Sequence, residues 1–598
     1  MRVKTGLICV SALAVIFGSV VFGFVRTAHA QLETTYSITL QTDLRYIVQE
    51  KTTRERIPRA EALRNPWLQE AWRTGQLREI TLIPHGFSRN ENRVKFKAEA
   101  RGRRVRGVAD VDLVMLGYNT ELTNLPSMTQ RNMMDPFRIE AHALYVDILG
   151  LGTEKLDLRI GQQIVNWGTA DQFNPTSNLN PLNLEDRLMF GDLLATPMVR
   201  ADFAINLDWN ITAAWVPIFR PNLLPRSASL GLASPDRIPI VEDHYRWQLS
   251  AERYVGEILT DGPTRVTEAR LLLPDTDIKN SQVGVRIRGR VLKQDISFSY
   301  YYGRSKMPQP VFSKTFMNPD ENIIQTRVDL AFPRMHVIGF DMAGQIPWAR
   351  ALRRAVRTLE PVGWWFEAGV FFPQRMTMAL FQENFGIIED GEYDYSRIDP
   401  ENPRRPTVVD NTPFLKWVLG FDYTFSQNWW ANVQWVHGFP DEFGAGDWLS
   451  NLWAAQQGWA PTRFRTDEPS AGYFACMSHE TVGECAHEWV RPRISDYLVT
   501  GVDYKFYRDA MLLRLFFIID MGGVHERYFD GTKRVSKWHH PFSKEGYSVM
   551  LYPQYTWSLG QGAELSAGGL IMLGRNHTRF GDPAAGSSMV WTRARFAF

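Results

Sequence analysis

The feature that most constrains the fold is a strict alternation of apolar and polar residues in segments of about ten residues. In residues 416–425 (KWVLGFDYTF), every second residue from Trp417 to Phe425 is apolar or aromatic, and Lys416, Asp422 and Thr424 fall on the other face. Residues 155–160, 202–209 and 283–291 alternate in the same way, and we predict residues 201–210 as the sixth strand. Successive side chains of a strand point to opposite faces, and a tilted strand of this length crosses a bilayer. The pattern predicts transmembrane strands with one face toward lipid.

Connections between these segments alternate between short turns and long loops, as they do in outer-membrane barrels. Counting from Tyr36 to Phe598 gives 18 strands, an even number that leaves both termini in the periplasm; 16 stays open because strand boundaries are imprecise. A sheet in a membrane cannot leave an edge unpaired. We therefore predict an all-β fold, a single closed antiparallel transmembrane β-barrel of 18 strands with short periplasmic turns and long extracellular loops.

The first 30 residues have the pattern of a signal peptide. Arg2 and Lys4 precede an apolar run, and residues 28–30 (AHA) match a signal-peptidase site. A membrane anchor is the less favoured alternative, because the cleavage site is well placed. We predict a mature barrel of residues 31–598, in contact with the lipid and lipopolysaccharide of the outer membrane of a Gram-negative bacterium.

The last residues carry a second export feature. Val590, Thr592 and Ala594 share one face of a strand with Phe596 and Phe598. A terminal Phe with an aromatic residue two positions earlier resembles the signal that the outer-membrane assembly machinery reads on the last barrel strand. We predict that Phe596 and Phe598 form this assembly signal.

Composition excludes several classes of function. The net charge of +2 in 598 residues argues against a nucleic-acid binder. Without the signal, two cysteines remain, Cys476 and Cys485. Their closeness in an oxidising compartment favours a local disulfide over metal ligation. The sequence contains no GxSxG, HExxH or P-loop motif, so we predict no enzyme activity, no metal and no cofactor.

Residues 157–186 (DLRIGQQIVNWGTADQFNPTSNLNPLNLED) are the most unusual segment. Its Asn, Pro, Gly and Asp residues are spaced as a chain of fixed turns. The segment resembles a family of bacterial outer-membrane porin-like proteins of unknown function, related to alginate-export channels. The matching residues are Gly161, Gln163, Val165, Trp167, Gly168, Asn180 and Pro181. The resemblance is clearest over residues 155–225, and it implies an export or diffusion barrel without an assigned substrate.

The same segment is long enough to fold back into the barrel. As a constriction loop it would place Gln163, Asn166, Trp167, Asp171 and Asn174 in contact with solute. The alternative is that these residues only satisfy one another's backbone groups at the rim, and the sequence does not choose between the two.

Arginines form a second candidate feature of the lumen. By alternation Arg159, Arg286, Arg288, Arg290 and two C-terminal arginines point inward. Rings of Arg suit a path for anions. Inward acids such as Asp202, Asp503 and Glu367 offer the alternative, ion pairs along the wall, and the near-zero net charge favours it.

One periplasmic connection, residues 347–359 (PWARALRRAVRTL), is predicted to be a short basic helix. A solvated helix at the barrel mouth is slightly favoured over a docking site for a periplasmic transport partner. The leading functional hypothesis is a channel for a polar or amphipathic solute, including an exported polysaccharide. The alternatives are a port for hydrophobic compounds, with an apolar cavity under the loops, and a structural barrel that sheathes a partner protein, with no inward loop.

Overall fold

A computed structural model describes residues 33–56, 65–73, 77–117, 129–131, 135–185, 191–224, 264–318, 323–346, 360–381, 403, 405–438, 488–491, 495–529, 534–582 and 585–598. The predicted signal peptide, Cys476, Cys485 and the basic segment 347–359 lie outside these residues, so the corresponding predictions stay predictions.

Eighteen antiparallel strands form one closed sheet, because β1 pairs with β2 on one side and with β18 on the other. The prediction of an all-β barrel with 18 strands, rather than 16, is confirmed. The strands are β1 Glu33–Ile47, β2 Gly86–Arg101, β3 Val105–Leu116, β4 Phe137–Ile148, β5 Leu156–Gln163, β6 Thr196–Ala204, β7 Asn210–Val216, β8 Gln282–Val291, β9 Gln294–Arg304, β10 Arg334–Ile346, β11 Val362–Pro373, β12 Phe414–Thr424, β13 Trp429–His437, β14 Asp496–Phe506, β15 Met511–Asp520, β16 Ser548–Gly560, β17 Ala563–Gly574 and β18 Met589–Ala597.

The two ends of the barrel differ in the length of their connections. The chain enters β1 and leaves β18 at the end that carries the tight turns. One of these turns is the two-residue link between β8 and β9, where Leu292 and Lys293 both have positive φ. That backbone twist matches the twist of the flanking strands. The connections at the other end are long, as predicted.

The predicted sixth strand, 201–210, is shifted. The observed β6 ends at Ala204, and residues 205–209 form a turn. Asn206 causes the difference, because its side-chain oxygen accepts hydrogen bonds from the backbone N–H groups of Asp208 and Trp209, both at 2.9 Å. This local bond stabilises a turn in place of a strand. The alternation in 202–209 is therefore not one lipid-facing strand.

The outer face of the barrel is apolar. Strand β8 shows the rule, since Val283, Val285 and Ile287 are exposed while Gln282 and Arg286 are buried on the inner face. Exposed apolar side chains recur around the ring, among them Leu40, Phe96, Phe298, Ile338, Leu515, Ile571 and Phe596. A continuous apolar belt of this kind is unfavourable in water and fits a lipid surface. In the described part of the chain, no helix has the length and apolar character needed to span a membrane.

Small elements cover the end with long connections. They comprise α1 (Pro66–Arg73), the paired strands Lys51–Arg56 and Leu77–Ile83, the sheet of Thr264–Leu271, Gln309–Asn318, Ile323–Ala331 and Ala379–Phe381, the pair Met376–Thr377 and Thr407–Val409, and the sheet of Glu488–Val490, Val524–Phe529 and Arg534–His539. A short 3-10 helix, Ile278–Asn280, precedes β8.

The buried core lies inside the barrel. In a first cluster Val165, Trp167 and Leu179 pack against inward side chains such as Tyr301 and Phe371. In a second cluster Phe173 and Phe580 pack against inward side chains of β11 to β17. Both clusters combine wall residues with residues from connections, so segments of chain occupy part of the lumen.

Candidate functional site

Residues 164–185, which follow β5, run into the lumen; we call them the inward segment. The carboxylate of Glu367 on β11 holds this segment and is fully buried. It accepts hydrogen bonds from the backbone amides of Thr169 at 2.9 Å, Ala170 at 3.1 Å and Thr176 at 2.9 Å, and from the Thr176 hydroxyl at 2.8 Å. Hydrogen bonds to a charged acceptor contribute about 1.5–3 kcal/mol each. Glu367 is therefore the main polar anchor of the segment.

The far end of the inward segment is tied to another wall. The Arg89 guanidinium on β2 donates two hydrogen bonds to the Glu185 carboxylate, at 3.2 and 3.4 Å. In the ring of 18 strands, β2 and β11 are nine strands apart, which places them on opposite sides. The segment thus crosses the full width of the lumen between these two anchors.

The motif that begins at Gly161 starts this crossing. Gly161 has a φ of 134°, and a Cβ there would lie 2.3 Å from the Leu144 carbonyl oxygen, so only glycine fits. The Gln163 side chain donates to the Met198 carbonyl at 3.1 Å. Asn180 accepts a hydrogen bond from the Val165 amide at 2.8 Å and donates to the Gln163 carbonyl at 2.9 Å. These contacts fix the direction in which the chain leaves β5.

Glycines also let the segment lie close to the wall. A Cβ on Gly168 would lie 2.2 Å from a carboxylate oxygen of Glu367. On the inner face of the barrel, a Cβ on Gly284 would meet the Trp167 ring at 2.7 Å, and one on Gly339 would meet Thr176 at the same distance. These glycines therefore leave the space in which the inward segment packs against the wall.

The described residues of a second connection, 575–582 and 585–588 between β17 and β18, also pack inward. Phe580 is fully buried, and its amide donates to the Ser548 hydroxyl at 2.9 Å. Arg491 pairs with Asp582 at 2.8 Å, and the buried Arg579 lies 3.4 Å from Asp520. This connection packs against the barrel wall at β15 and β16.

The inner face of β2 to β5 is densely charged and partly solvated. On β2 and β4, Arg93 and Glu140 lie 3.0 Å apart, and Arg138 reaches Glu91 at 2.7 Å. Side-chain exposures of 18% for Arg93, 28% for Glu140 and 34% for Arg138 show that water reaches this wall. Charges of both signs alternate along it, so the wall offers hydrogen-bond partners to a polar solute without a net field of one sign.

Three residues of this wall have ligand atoms close enough to bind one metal ion: Asp112, Glu140 and His142. The Arg93 guanidinium, however, donates to both Asp112 and Glu140. A guanidinium between two carboxylates already supplies the positive charge that a cation would bring. We therefore assign no metal to this cluster.

The residues predicted to touch solute fall into two groups. Gln163 and Trp167 are buried, at 0% and 3% exposure, which favours the alternative that these two residues hold the chain rather than touch solute. They hold the inward segment in place because their side chains face protein atoms. Asn166 and Asp171 are exposed and Asn174 is half-buried. Solute contact stays a prediction for these three.

The predicted arginine ladder is paired with acids. Arg159 bonds to Asp147 at 2.6 Å, and its guanidinium lies 3.9 Å from the Tyr145 ring centre. Arg286 lies 3.1 Å from Asp341. Arg288 and Arg290 share Asp295, at 3.3 and 3.2 Å. The geometry agrees with ion pairs along the wall, the alternative that the near-zero net charge favours, and not with a ring of unpaired cations.

The family model described as "Protein of unknown function (DUF1302)" matches residues 89–447. The chain belongs to this family. The match includes the inward segment and Glu367, so the anchored crossing lies within the part of the chain that defines the DUF1302 relationship. No curated protein matches the sequence.

Solved outer-membrane proteins are similar to this DUF1302 chain in fold only. OccAB3 of Acinetobacter baumannii has 8% identity over 95% of this chain and 99% of its own, with a TM-score of 0.38. OccK11 (OpdR) of Pseudomonas aeruginosa has 8% identity over 94% and 95%, with a TM-score of 0.39. OmpF of Salmonella typhi, in complex with daunomycin, has 6% identity over 94% and 97%, with a TM-score of 0.32. At these values no functional argument rests on the likeness.

Proposed function

We propose that this protein is an outer-membrane channel whose lumen is narrowed by the inward segment, and that a polar or amphipathic solute passes along the charged wall of β2 to β5. One observation carries the proposal: a segment anchored at Glu367 and at Arg89 crosses a closed barrel with an apolar outer surface. An apolar exterior needs a lipid surround, and a solvated, charged inner wall suits a polar solute.

The export features belong to the same proposal. Residues 1–30 would direct the chain across the inner membrane and be removed, and the strand that ends in Phe596 and Phe598 would be read during assembly. In the barrel Phe596 and Phe598 are exposed on the outer face, with ring centres 5.5 Å apart.

The inward segment argues against the two alternative functions, a sheath for a partner protein and a port for hydrophobic compounds. A structural barrel that sheathes a partner protein needs an unobstructed lumen, whereas here the chain spans it. A port for hydrophobic compounds needs an apolar cavity under the loops, whereas the cavity beside the segment has lysines and asparagines in its lining. We do not extend the proposal to a polysaccharide, because no described feature selects a sugar, and the relation to alginate export stays a prediction from resemblance.

Permeation into proteoliposomes tests the proposal. The folded mature chain is reconstituted, and swelling rates are measured for neutral and charged solutes of increasing size. A constricted channel predicts rapid entry of small solutes and a steep fall with solute size. Rates equal to those of protein-free liposomes for every solute would exclude the channel.

A further inference from the structure

A cavity of about 90 Å³ lies between the inward segment and the barrel wall from β9 to β12. Its lining includes the polar side chains of Ser177, Asn178, Lys306 and Lys416 and the apolar side chains of Met335 and Phe371. Among the described residues, its lining contains two lysines and no acid. Its charge therefore differs from that of the wall of β2 to β5, where Arg93, Arg138 and Arg159 each pair with a carboxylate.

Lys306, just beyond β9, carries the argument. Its side chain is buried, at 9% exposure, and the Nζ donates to Gln282 Oε1 at 3.1 Å and to Tyr301 Oη at 3.4 Å. Both acceptors are neutral, and no described carboxylate forms an ion pair with Lys306. Burial without a compensating acid lowers the pKa of Lys306 to about 7. An ammonium has three donors, so one is left for a ligand.

Two further groups belong to the polar lining. The Ser177 Oγ is buried without a hydrogen-bond partner among the described residues, and Ser177 lines the same cavity. Lys416 enters from β12 with 8% exposure, and its Nζ lies 5.3 Å from the Phe371 ring centre. The buried Lys306 ammonium and the Ser177 hydroxyl are both stabilised by an oxyanion.

We propose that this cavity binds the carboxylate of a small organic acid, with Lys306 and Ser177 as hydrogen-bond donors. The apolar lining residues Met335 and Phe371 contact the short hydrocarbon part of the acid, which favours a carboxylate over inorganic phosphate. The cavity has room for an acid of only a few carbon atoms. The inference rests on the proposed function, because it names the class of solute that the channel would pass. Binding of the acid is measured separately, on the protein in detergent without a membrane.

The test is saturation-transfer NMR on the folded mature chain in detergent, titrated with sodium propionate, with sodium phosphate as a competitor. The wild-type protein should bind propionate, and K306M should weaken binding by roughly tenfold to a hundredfold, as loss of a charged hydrogen bond does. The matched control is K279M, an exposed lysine at the same end of the barrel that pairs with Asp277 at 3.1 Å. This control should bind like the wild type.

Absence of propionate binding, or undiminished binding by K306M, would overturn the site. Displacement by phosphate at equal concentration would overturn the assignment to carboxylates. If K306M does not fold, S177A serves in its place and should weaken binding by several fold, with unchanged affinity counting against the proposal. Propionate binding without permeation into liposomes would contradict the channel but not the binding site. Failure of the proposed function can therefore be told from failure of the proposed site.

Discussion

The Glu367 carboxylate accepts two hydrogen bonds from Thr176, at 2.9 Å from the backbone amide and 2.8 Å from the hydroxyl, both on the same oxygen. The other oxygen accepts the amides of Thr169 and Ala170. One buried side chain on β11 therefore holds both ends of an eight-residue stretch of the inward segment. A single substitution at this position tests whether the segment is the constriction.

We expect E367Q to loosen the inward segment. The substitution removes the charge and replaces one acceptor oxygen by an NH2 group that faces backbone N–H donors, which costs about 3 kcal/mol. That energy changes the ratio of anchored to released segment by more than about a hundredfold. Single-channel conductance should rise, and cleavage between residues 166 and 184 by added protease should become faster.

The control for E367Q is E564Q, a glutamate on the inner face of β17 whose described hydrogen bond is to Ser566 at 3.3 Å. E564Q should leave protease cleavage of the inward segment unchanged. Equal protease resistance of E367Q and the wild type would show that Glu367 is not the anchor.

G168A should reproduce the effect of E367Q. Gly168 has a φ of 102°, and an added Cβ would lie 2.2 Å from the Glu367 carboxylate, so the chain must move away from its anchor. G107A is the matched control, because Gly107 lies in β3 with ordinary φ and open space around it. Protease mapping of both variants measures the difference, and similar cleavage patterns for the two would refute the steric argument.

Arginine pairing predicts that R286S lowers the free energy of unfolding much more than R290S does. R286S leaves Asp341 buried without its partner, which destabilises the barrel by about 3–5 kcal/mol. R290S removes an exposed charge and should change stability by less than about 1 kcal/mol. Denaturant unfolding, followed by tryptophan fluorescence, measures both. Equal stabilities would mean that the Arg286–Asp341 pair contributes little.

Carboxylate binding should weaken as the pH rises. Lys306, with its pKa lowered to about 7 by burial, is charged below that pH and neutral above it. A bound carboxylate favours the charged form and raises the pKa of Lys306 in the complex, so affinity should fall by up to about tenfold per pH unit between the pKa of the free protein and the higher pKa of the complex. The other groups that face Lys306 are Tyr301 and Gln282 by contact and Lys416 across the cavity.

The matched variant for this pH dependence is K306R, because arginine stays charged over the whole range. Propionate affinity of K306R, measured by the same NMR titration from about pH 6 to about pH 9, should be nearly constant. A wild-type affinity that does not change with pH would contradict the role of Lys306.

The barrel was predictable because lipid and lumen impose period-two alternation on every strand, and a slip of one residue would turn charges toward lipid. The failure at β6 has a local cause, since the Asn206 side chain ends the strand although the alternation continues to Trp209. Alternation indicates which face of a strand each side chain occupies. It does not indicate where a single side chain stabilises a turn and ends the strand.

The lumen was only partly predictable. The turn residues of 157–186 indicated an inward loop, but Gln163 and Trp167 proved to be packed, since a sequence does not reveal which side of a loop meets the wall. Glu367 was missed as the anchor because its partners Thr169, Ala170 and Thr176 lie far away in sequence. Lys306 was missed as a ligand candidate because the cavity brings it together with Ser177 of a distant segment. One sequence feature does indicate a segment packed against the wall. Glycines on the inner strand faces, Gly284, Gly339 and Gly369, leave room for it. The inward connection 575–588 carries no comparable pattern.

The most direct test of the central claim is single-channel conductance of the refolded mature chain, from Gln31, with and without residues 166–184. The account predicts a steady conductance that rises when the segment is removed. Folding of the shortened chain is checked by circular dichroism, because the segment also contributes to the buried core. No conductance in either folded form, or the same conductance in both, would contradict a lumen narrowed by the inward segment.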